Sequence, residues 1–294
     1  MHEILVISGK GGTGKTSLTA AFAHISSNAV LCDLDVDAPD LHLILRPELS
    51  DQVPFIAGAE ARIRPDQCEG CGTCADMCRF QAIRADGSVF AVDPIRCEGC
   101  RVCVRFCPAD AIDFVPKQCG HWSLSETRFG PLAHAQLYPG EENSGKLVAH
   151  LRHEAKKLAE SKGISVLLSD GPPGIGCPVI SAVSGTGLAV IVTEPTPSGM
   201  HDLRRVVELC KHFNVATAVI INKSDLNSIM AAKIRSFCED SGLPLLAELP
   251  HDTVFVDALV QGLAITEFSD GHLSREVRRA WEKIMNLLAV KAAA

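Results

Sequence analysis

Residues 9–16 read Gly9-Lys10-Gly11-Gly12-Thr13-Gly14-Lys15-Thr16, and no other stretch narrows the possible architecture of this chain as far. An apolar run, Ile4-Leu5-Val6-Ile7, precedes them, and an alanine-rich, helix-like stretch over 17–25 follows. Strand, glycine loop and helix in that order form a cradle for phosphate: glycines let successive backbone N–H groups converge, and the helix N-terminus adds positive potential. The spacing G-x-x-x-x-G-K-T predicts that Lys15 reaches the outer phosphates and that Thr16 offers its hydroxyl to Mg²⁺, an ion that prefers oxygen ligands. Gly9, Lys10, Gly11, Gly12, Thr13, Gly14 and Ser17 complete the expected nucleotide-binding set.

The rest of the chain alternates in a way that extends this start into a sheet. Buried-looking strands are predicted over 29–32, 132–137, 164–170, 188–193, 216–222 and 245–248, with helices over 144–162, 202–213, 227–241 and 272–288. Strand–helix alternation predicts an α/β fold with a doubly wound, mostly parallel sheet. In such sheets ligands bind beyond the carboxyl ends of the strands, where two of these runs release acids: Asp33-Leu34-Asp35-Val36-Asp37 and Ser169-Asp170.

Between these elements lies a segment ordered by cysteine spacing alone. Cys68, Cys71, Cys74 and Cys78 recur 29 residues later as Cys97, Cys100, Cys103 and Cys107, each set obeying C-x₂-C-x₂-C-x₃-C. Neighbours repeat with them, Glu69-Gly70 against Glu98-Gly99 and Ala82-Ile83 against Ala111-Ile112. A zinc site calls for paired C-x-x-C with longer gaps. The duplicated unit resembles a bacterial two-cluster ferredoxin, in which the fourth cysteine of each run ligates the other cluster. That resemblance implies two [4Fe–4S] clusters, one held by Cys68, Cys71, Cys74 and Cys107, the other by Cys97, Cys100, Cys103 and Cys78. Arg79 departs from the pattern, since the ferredoxin family usually has proline there, as in Cys107-Pro108. The domains read as residues 1–59 and 118–294 for the nucleotide fold, interrupted by a ferredoxin-like insertion over 60–117.

The second lysine of the loop, Lys10, carries a further resemblance. Lys10-Gly11-Gly12-Thr13-Gly14-Lys15-Thr16 matches the K-G-G-x-G-K-T of the deviant Walker A ATPases, the superfamily of MinD, ParA, Mrp-type iron–sulfur carriers and the nitrogenase iron protein. The resemblance spans essentially the whole chain outside the insertion. It implies a homodimer with ATP sandwiched at the interface and Lys10 acting on the partner's nucleotide. It implies further that Asp35 orients the attacking water, supported by Asp33, and that Asp170, in a segment like D-x-P-x-G, holds a Mg²⁺-bound water. Asn222 is implied to face adenine, with Pro250 and Asp252 nearby, although Asn222-Lys223-Ser224-Asp225 also matches a guanine-reading element. Asp37, before Pro39, reads as a turn acid.

Function follows from the two resemblances together: an ATPase in which dimer closure is coupled to the clusters, as ATP-gated electron transfer. The alternatives are an iron–sulfur carrier or assembly ATPase, and a positioning ATPase with redox-sensing clusters. A redox or iron–sulfur partner protein is expected in either of the first two cases. The net charge of −7 argues against nucleic acid as a partner. The start lacks a basic leader and no apolar run approaches ~20 residues, so a cytoplasmic location without stable membrane insertion is expected. Thirteen cysteines, an odd number, beside a nucleotide motif argue against a secreted disulfide framework. Cys32, Cys210 and Cys238 read as structural. Cys177 reads as a buried small hydrophobe, the alternative being an interface cluster shared with Cys119. The stripe Val277, Trp281, Ile284 and Leu288 reads as core packing rather than a membrane face.

Overall fold

The computed structural model describes residues 1–26, 28–48 and 51–293. In chain order its elements are β1 (His2–Ser8), α1 (Lys15–Ser26), β2 (Val30–Asp33), α2 (Leu41–Leu45), β3 (Val53–Ile63), α3 (Thr73–Asp76), β4 (Ile83–Asp86), β5 (Val89–Val92), α4 (Val102–Phe106), β6 (Ile112–Thr127) and β7 (Gly130–Leu137). They continue as α5 (Ser144–Lys162), β8 (Val166–Pro173), α6 (Cys177–Val183), β9 (Leu188–Thr193), α7 (Pro197–His212), β10 (Ala216–Asn222), α8 (Ser228–Asp240), β11 (Leu245–Leu249), α9 (Val254–Val260), α10 (Ile265–Phe268) and α11 (His272–Ala293). The chain divides into two compact units, the first comprising 1–53, 122–136 and 144–294, the second 54–121 and 137–143.

In the first unit the strand order is β11-β10-β9-β1-β8-β2-β7. In the first unit β1 pairs in parallel with β8 on one side and β9 on the other, and β10, β11, β2 and β7 continue the parallel pairing outward. Ile4, Leu5, Val6 and Ile7 are buried because both faces of a central parallel strand are covered, which is why the run is continuously apolar rather than alternating. Strands β6 and β7 are joined by Arg128 and Phe129 alone, a connection short enough only for an antiparallel hairpin. The sheet is therefore mostly rather than wholly parallel.

One face of the sheet is closed by α1 and α11. Phe22 stacks on Trp281 with ring centroids 5.5 Å apart, and Val277, Ile284 and Leu288 bury the same stripe of α11. The terminal helix thus packs on the core, as its spacing predicts. No described helix is long and apolar enough to cross a membrane. Elsewhere in the first unit Arg152 of α5 pairs with the buried Glu3 of β1 and donates to Thr186 Oγ1 at 2.9 Å and to the Ser181 carbonyl at 3.1 Å. This pairing satisfies a charge that burial would otherwise penalise by several kcal/mol.

The second unit has a thin core. Ala61, Cys74, Ile83, Cys103 and Ile112 are its buried members, and Cys78, Cys97 and Cys107 pack against them. The hairpin β4–β5 and the short helices α3 and α4 surround it. The 29-residue repeat is visible in the backbone: left-handed φ values recur at Gly70 and Gly99, at Gly72 and Arg101, and at Gln81 and Asp110.

Truncating the stacked aromatic tests which side chains hold the first unit together. Trp281→Ala should cost about 3–5 kcal/mol, read as a lowered urea midpoint. Glu282→Ala on the exposed face of α11 should cost less than about 0.5 kcal/mol.

Candidate functional site

The sheet brings three segments to one point because β1, β8 and β2 are neighbours. Asp33 and Asp170 sit side by side in register, and the loop leaving β1 covers them. Helix α1 begins at Lys15, two residues before the start its sequence predicts, because the loop tightens directly into the first turn. Gly14 has φ +88, and a Cβ there would lie 2.4 Å from Asn222 Nδ2, so only glycine fits.

Lys15 is buried beneath the loop with its ammonium 3.6 Å from Asp170 Oδ1 and 3.7 Å from Asp35 Oδ2. Thr16 Oγ1 donates to Asp170 Oδ2 at 2.6 Å, and Thr19 Oγ1 donates to Asp170 Oδ1 at 3.0 Å. Asp33 accepts from the backbone N–H of Asp35 at 3.2 Å and of Leu41 at 3.1 Å, which shapes the turn that presents Asp35. Burial works against the Lys15 ammonium, yet the charges of Asp170, Asp35 and Asp33 outweigh it and raise its pKa. Burial pushes the Asp33 carboxyl well up, and the adjacent Asp170 adds to it. Burial likewise raises Asp35, against the pull of Lys15. Asp170 and Asp35, with Asp33 behind them, thus face a single ammonium, an oxygen set suited to a further cation. Asp37 is an exposed turn residue.

Around the loop, Asn222 Nδ2 donates to the Thr13 carbonyl at 2.8 Å, and Lys223 Nζ donates to the Gly12 carbonyl at 3.1 Å. The buried Thr13 hydroxyl has no hydrogen-bond partner among the described residues. Glu194, just past β9, takes Lys10 Nζ at 2.9 Å on one oxygen and Lys223 Nζ at 2.5 Å on the other. The loop after β11 meets the loop after β10 where His251 N–H donates to Asp225 Oδ1 at 2.6 Å. Asp252 Oδ1 caps the Val254 N–H at 3.0 Å, and Pro250 is half-buried beside them.

In the second unit Cys78 of the first run lines one cavity with Cys97, Cys100 and Cys103 of the second, together with Phe80, Arg101 and Phe114. Burial pushes the Cys103 thiol up to about 11, and Cys97, Cys100 and Cys74 add to the effect. Burial also raises Cys74, with Cys68 and Cys71 close enough to contribute. The Ala82 N–H donates to Cys78 Sγ and the Ala111 N–H to Cys107 Sγ, each at 3.3 Å. Among the described residues no three His, Cys, Asp or Glu side chains close tightly enough to chelate a single metal ion. Cys32, Cys210 and Cys238 are buried, as their core-like positions predict. Cys177 is exposed at the start of α6, which overturns its reading as a buried hydrophobe, and Cys119 is buried with its Sγ donating to the Ala57 carbonyl.

Residues 4–265 match the family described as the CobQ/CobB/MinD/ParA nucleotide binding domain. The chain belongs to this family. It is 38% identical over 289 residues to uncharacterized protein MJ0578 of Methanocaldococcus jannaschii, which covers 97% of each chain. It is 22% identical over 295 residues to the cytosolic Fe-S cluster assembly factor Nubp1 homolog of Drosophila melanogaster, 92% of this chain and 76% of that one. Among solved structures, the septum site-determining protein MinD of Pyrococcus horikoshii, complexed with Mg-ADP, has a TM-score of 0.63 at 18% identity over 99% of both chains. At that identity the likeness concerns the fold.

Two residues of this CobQ/CobB/MinD/ParA nucleotide site escape a motif search. Glu194 follows the buried run Val190-Ile191-Val192-Thr193, the same acid-after-strand pattern as Asp33 and Asp170, and that pattern could have marked it. Thr19 lies one helical turn past Lys15, on the same face. Burial pushes the Glu194 carboxyl up, but hydrogen bonds from Lys223 and Lys10 outweigh it and hold it below its ordinary 4.5. A depressed carboxyl stabilises the fold above its unfolded pKa and loses that contribution as pH falls through the folded value. Glu194→Gln should therefore be less stable than the parent at neutral pH and converge with it as the pH falls through that lowered value, measured as urea midpoints from neutral pH downward.

Proposed function

We propose that the chain is a Mg²⁺-dependent ATPase of MinD/ParA type, working as a nucleotide-sandwich homodimer and carrying two [4Fe–4S] clusters in residues 60–117, between nucleotide-fold segments 1–59 and 118–294. The observation that carries the nucleotide half is the Lys15 ammonium buried between Asp35 and Asp170 with Thr16 bonded to Asp170. Those oxygens suit Mg²⁺, and the excess of carboxylate gives the ion a reason to bind. Lys15 and the backbone of Gly11, Gly12, Thr13 and Gly14 would hold the phosphates. Asp35, 3.7 Å from the Lys15 ammonium, would orient water. That the Pyrococcus relative is complexed with Mg-ADP supports this assignment.

Lys10 has a definite task in this scheme. In the single chain its ammonium rests on Glu194, and to reach a partner's nucleotide it must leave that carboxylate, which Lys223 continues to neutralise. Asn222, with its amide already on the loop, and the 250–252 segment would face adenine.

Eight cysteines in two matched runs support cubane clusters over a lone ion. Cys78 shares its cavity with Cys97, Cys100 and Cys103, which supports crossed ligation, and matched N–H···S bonds reach Cys78 and Cys107. Each cluster, when bound, stores or passes one electron; Cys68, Cys71, Cys74 and Cys107 would hold the other. Coupling dimer closure to these clusters makes the chain an ATP-gated electron-transfer module in the cytoplasm, acting on a protein partner. The second reading is an iron–sulfur assembly ATPase, favoured by the name of the Drosophila relative.

Two measurements test these halves separately. Lys10→Ala should keep nucleotide binding but lose turnover by ~10³, and parent turnover per chain should rise with protein concentration; equal rates at all concentrations would refute the trans role. Anaerobically purified protein should hold about eight iron per chain, and Cys107→Ala should lose the cluster of Cys68, Cys71 and Cys74 while keeping that of Cys97, Cys100 and Cys103. Transfer of iron and sulfide to an apo-protein, dependent on ATP, would favour the assembly reading instead.

A further inference from the structure

The two cysteine runs are one unit used twice, so a difference at equivalent positions makes the two sites unequal. The backbone surroundings of the thiols are matched. The fourth cysteine of each run accepts one amide N–H at 3.3 Å, and the same three positions adopt left-handed φ. Equivalence breaks in the charges.

After the second cysteine of each run the chain turns left-handed, at Gly72 with φ +81 and at Arg101 with φ +65. Glycine takes that conformation freely, whereas arginine takes it against steric resistance. Arg101 nevertheless lines the cavity shared by Cys78, Cys97, Cys100 and Cys103, its guanidinium 5.3 Å from the centre of Phe114 in the same lining. The second break is Arg79, directly after Cys78, where the sister run has Pro108 after Cys107. Its guanidinium lies 5.4 Å from the centre of Phe80, which lines that cavity too. Both departures therefore add positive charge on the side of the second run. A third has the same sign: Arg105 stands where the first run has Asp76.

Asp110 and Asp113 stand where the first run has Gln81 and Arg84, but they follow Cys107, the ligand assigned to the first-run cluster. One hydrogen bond acts the other way. The Thr73 hydroxyl lies 3.5 Å from Cys71 Sγ, and the equivalent Val102 has none to offer. A single hydrogen bond at the limit of its range is outweighed by two guanidinium charges, because reduction adds a whole negative charge whose field reaches well beyond contact distance.

We propose that Arg101, assisted by Arg79, makes the Cys97/Cys100/Cys103/Cys78 site the stronger electron acceptor of the two. This rests on the iron–sulfur reading above. One electron supplied by a low-potential one-electron reductant settles at that site: exchange between the sites oxidises the first-run cluster by one electron and reduces the second-run cluster by one, with no bond broken and no proton moved. Positive charge stabilises the more negative, reduced form, and so sets the direction.

The test is a reductive titration of the anaerobic full-length holoprotein with dithionite, followed by electron paramagnetic resonance. Cys107→Ala, which keeps only the second-run cluster, should titrate at the higher of the parent's two midpoints. Arg101→Gly, which places the sister residue in a conformation glycine prefers, should fold normally, lower the higher midpoint, leave the lower one in place and narrow the gap; Arg101→Lys should retain most of it. The proposal is overturned if Arg101→Gly shifts neither midpoint or only the lower one, or if the cluster left in Cys107→Ala titrates at the lower value. A parent protein without iron or a cluster signal would instead overturn the iron–sulfur reading itself.

Discussion

A single ammonium ion buried under a glycine loop organises the nucleotide half of this molecule. Lys15 has almost no contact with solvent, and its desolvation would be prohibitive without the carboxylates of Asp170 and Asp35. Those acids come from two other strands, so one charge obliges β1, β2 and β8 to lie side by side with their carboxyl ends level. The remaining polar details follow: Thr16 and Thr19 both turn to Asp170, and Asp33 is committed to backbone N–H groups that shape the Asp35 turn. The site is preorganised by its own electrostatics, with more negative charge than Lys15 can balance.

The two units are stabilised by different means. In the first, a stacked Phe22–Trp281 pair and a continuous aliphatic layer supply ample buried area. In the second, cysteines occupy places that leucine or isoleucine would fill in an ordinary core, so its apolar content alone is small. On the proposed reading, clusters held by its thiolates would supply much of the folding energy that this small core lacks.

Signals local in sequence were legible, and those made by tertiary pairing were not. The loop from Gly9 to Thr16 and the acids Asp33, Asp35 and Asp170 could be found because strand, loop and spacing lie within a few residues of one another, and the structure brings them together. The sequence predicts the start of α7 at 202 because Pro197 looks like a breaker, whereas Pro197 occupies the first turn, where its missing N–H costs nothing. Strand β6 was invisible as one element because Pro116 interrupts its pattern. Glu194 gained its role only from two lysines that are 184 and 29 positions away, a relation no window can contain. Residue type alone predicts a buried Cys177, yet type carries little information about which end of a short helix faces water, and Cys177 is exposed.

The position of β1 has a consequence for biosynthesis. This strand is completed by residue 8, yet its two neighbours in the sheet are β8, beginning at Val166, and β9, beginning at Leu188. At about 5–20 residues per second of translation, the first strand waits many seconds for the partners that cover it. The second unit is complete in the chain by residue 143, before either partner exists. The cysteine-rich unit can therefore finish folding on the ribosome while the nucleotide sheet is still without its centre, and the nascent chain would present its thiols before it could present a phosphate site.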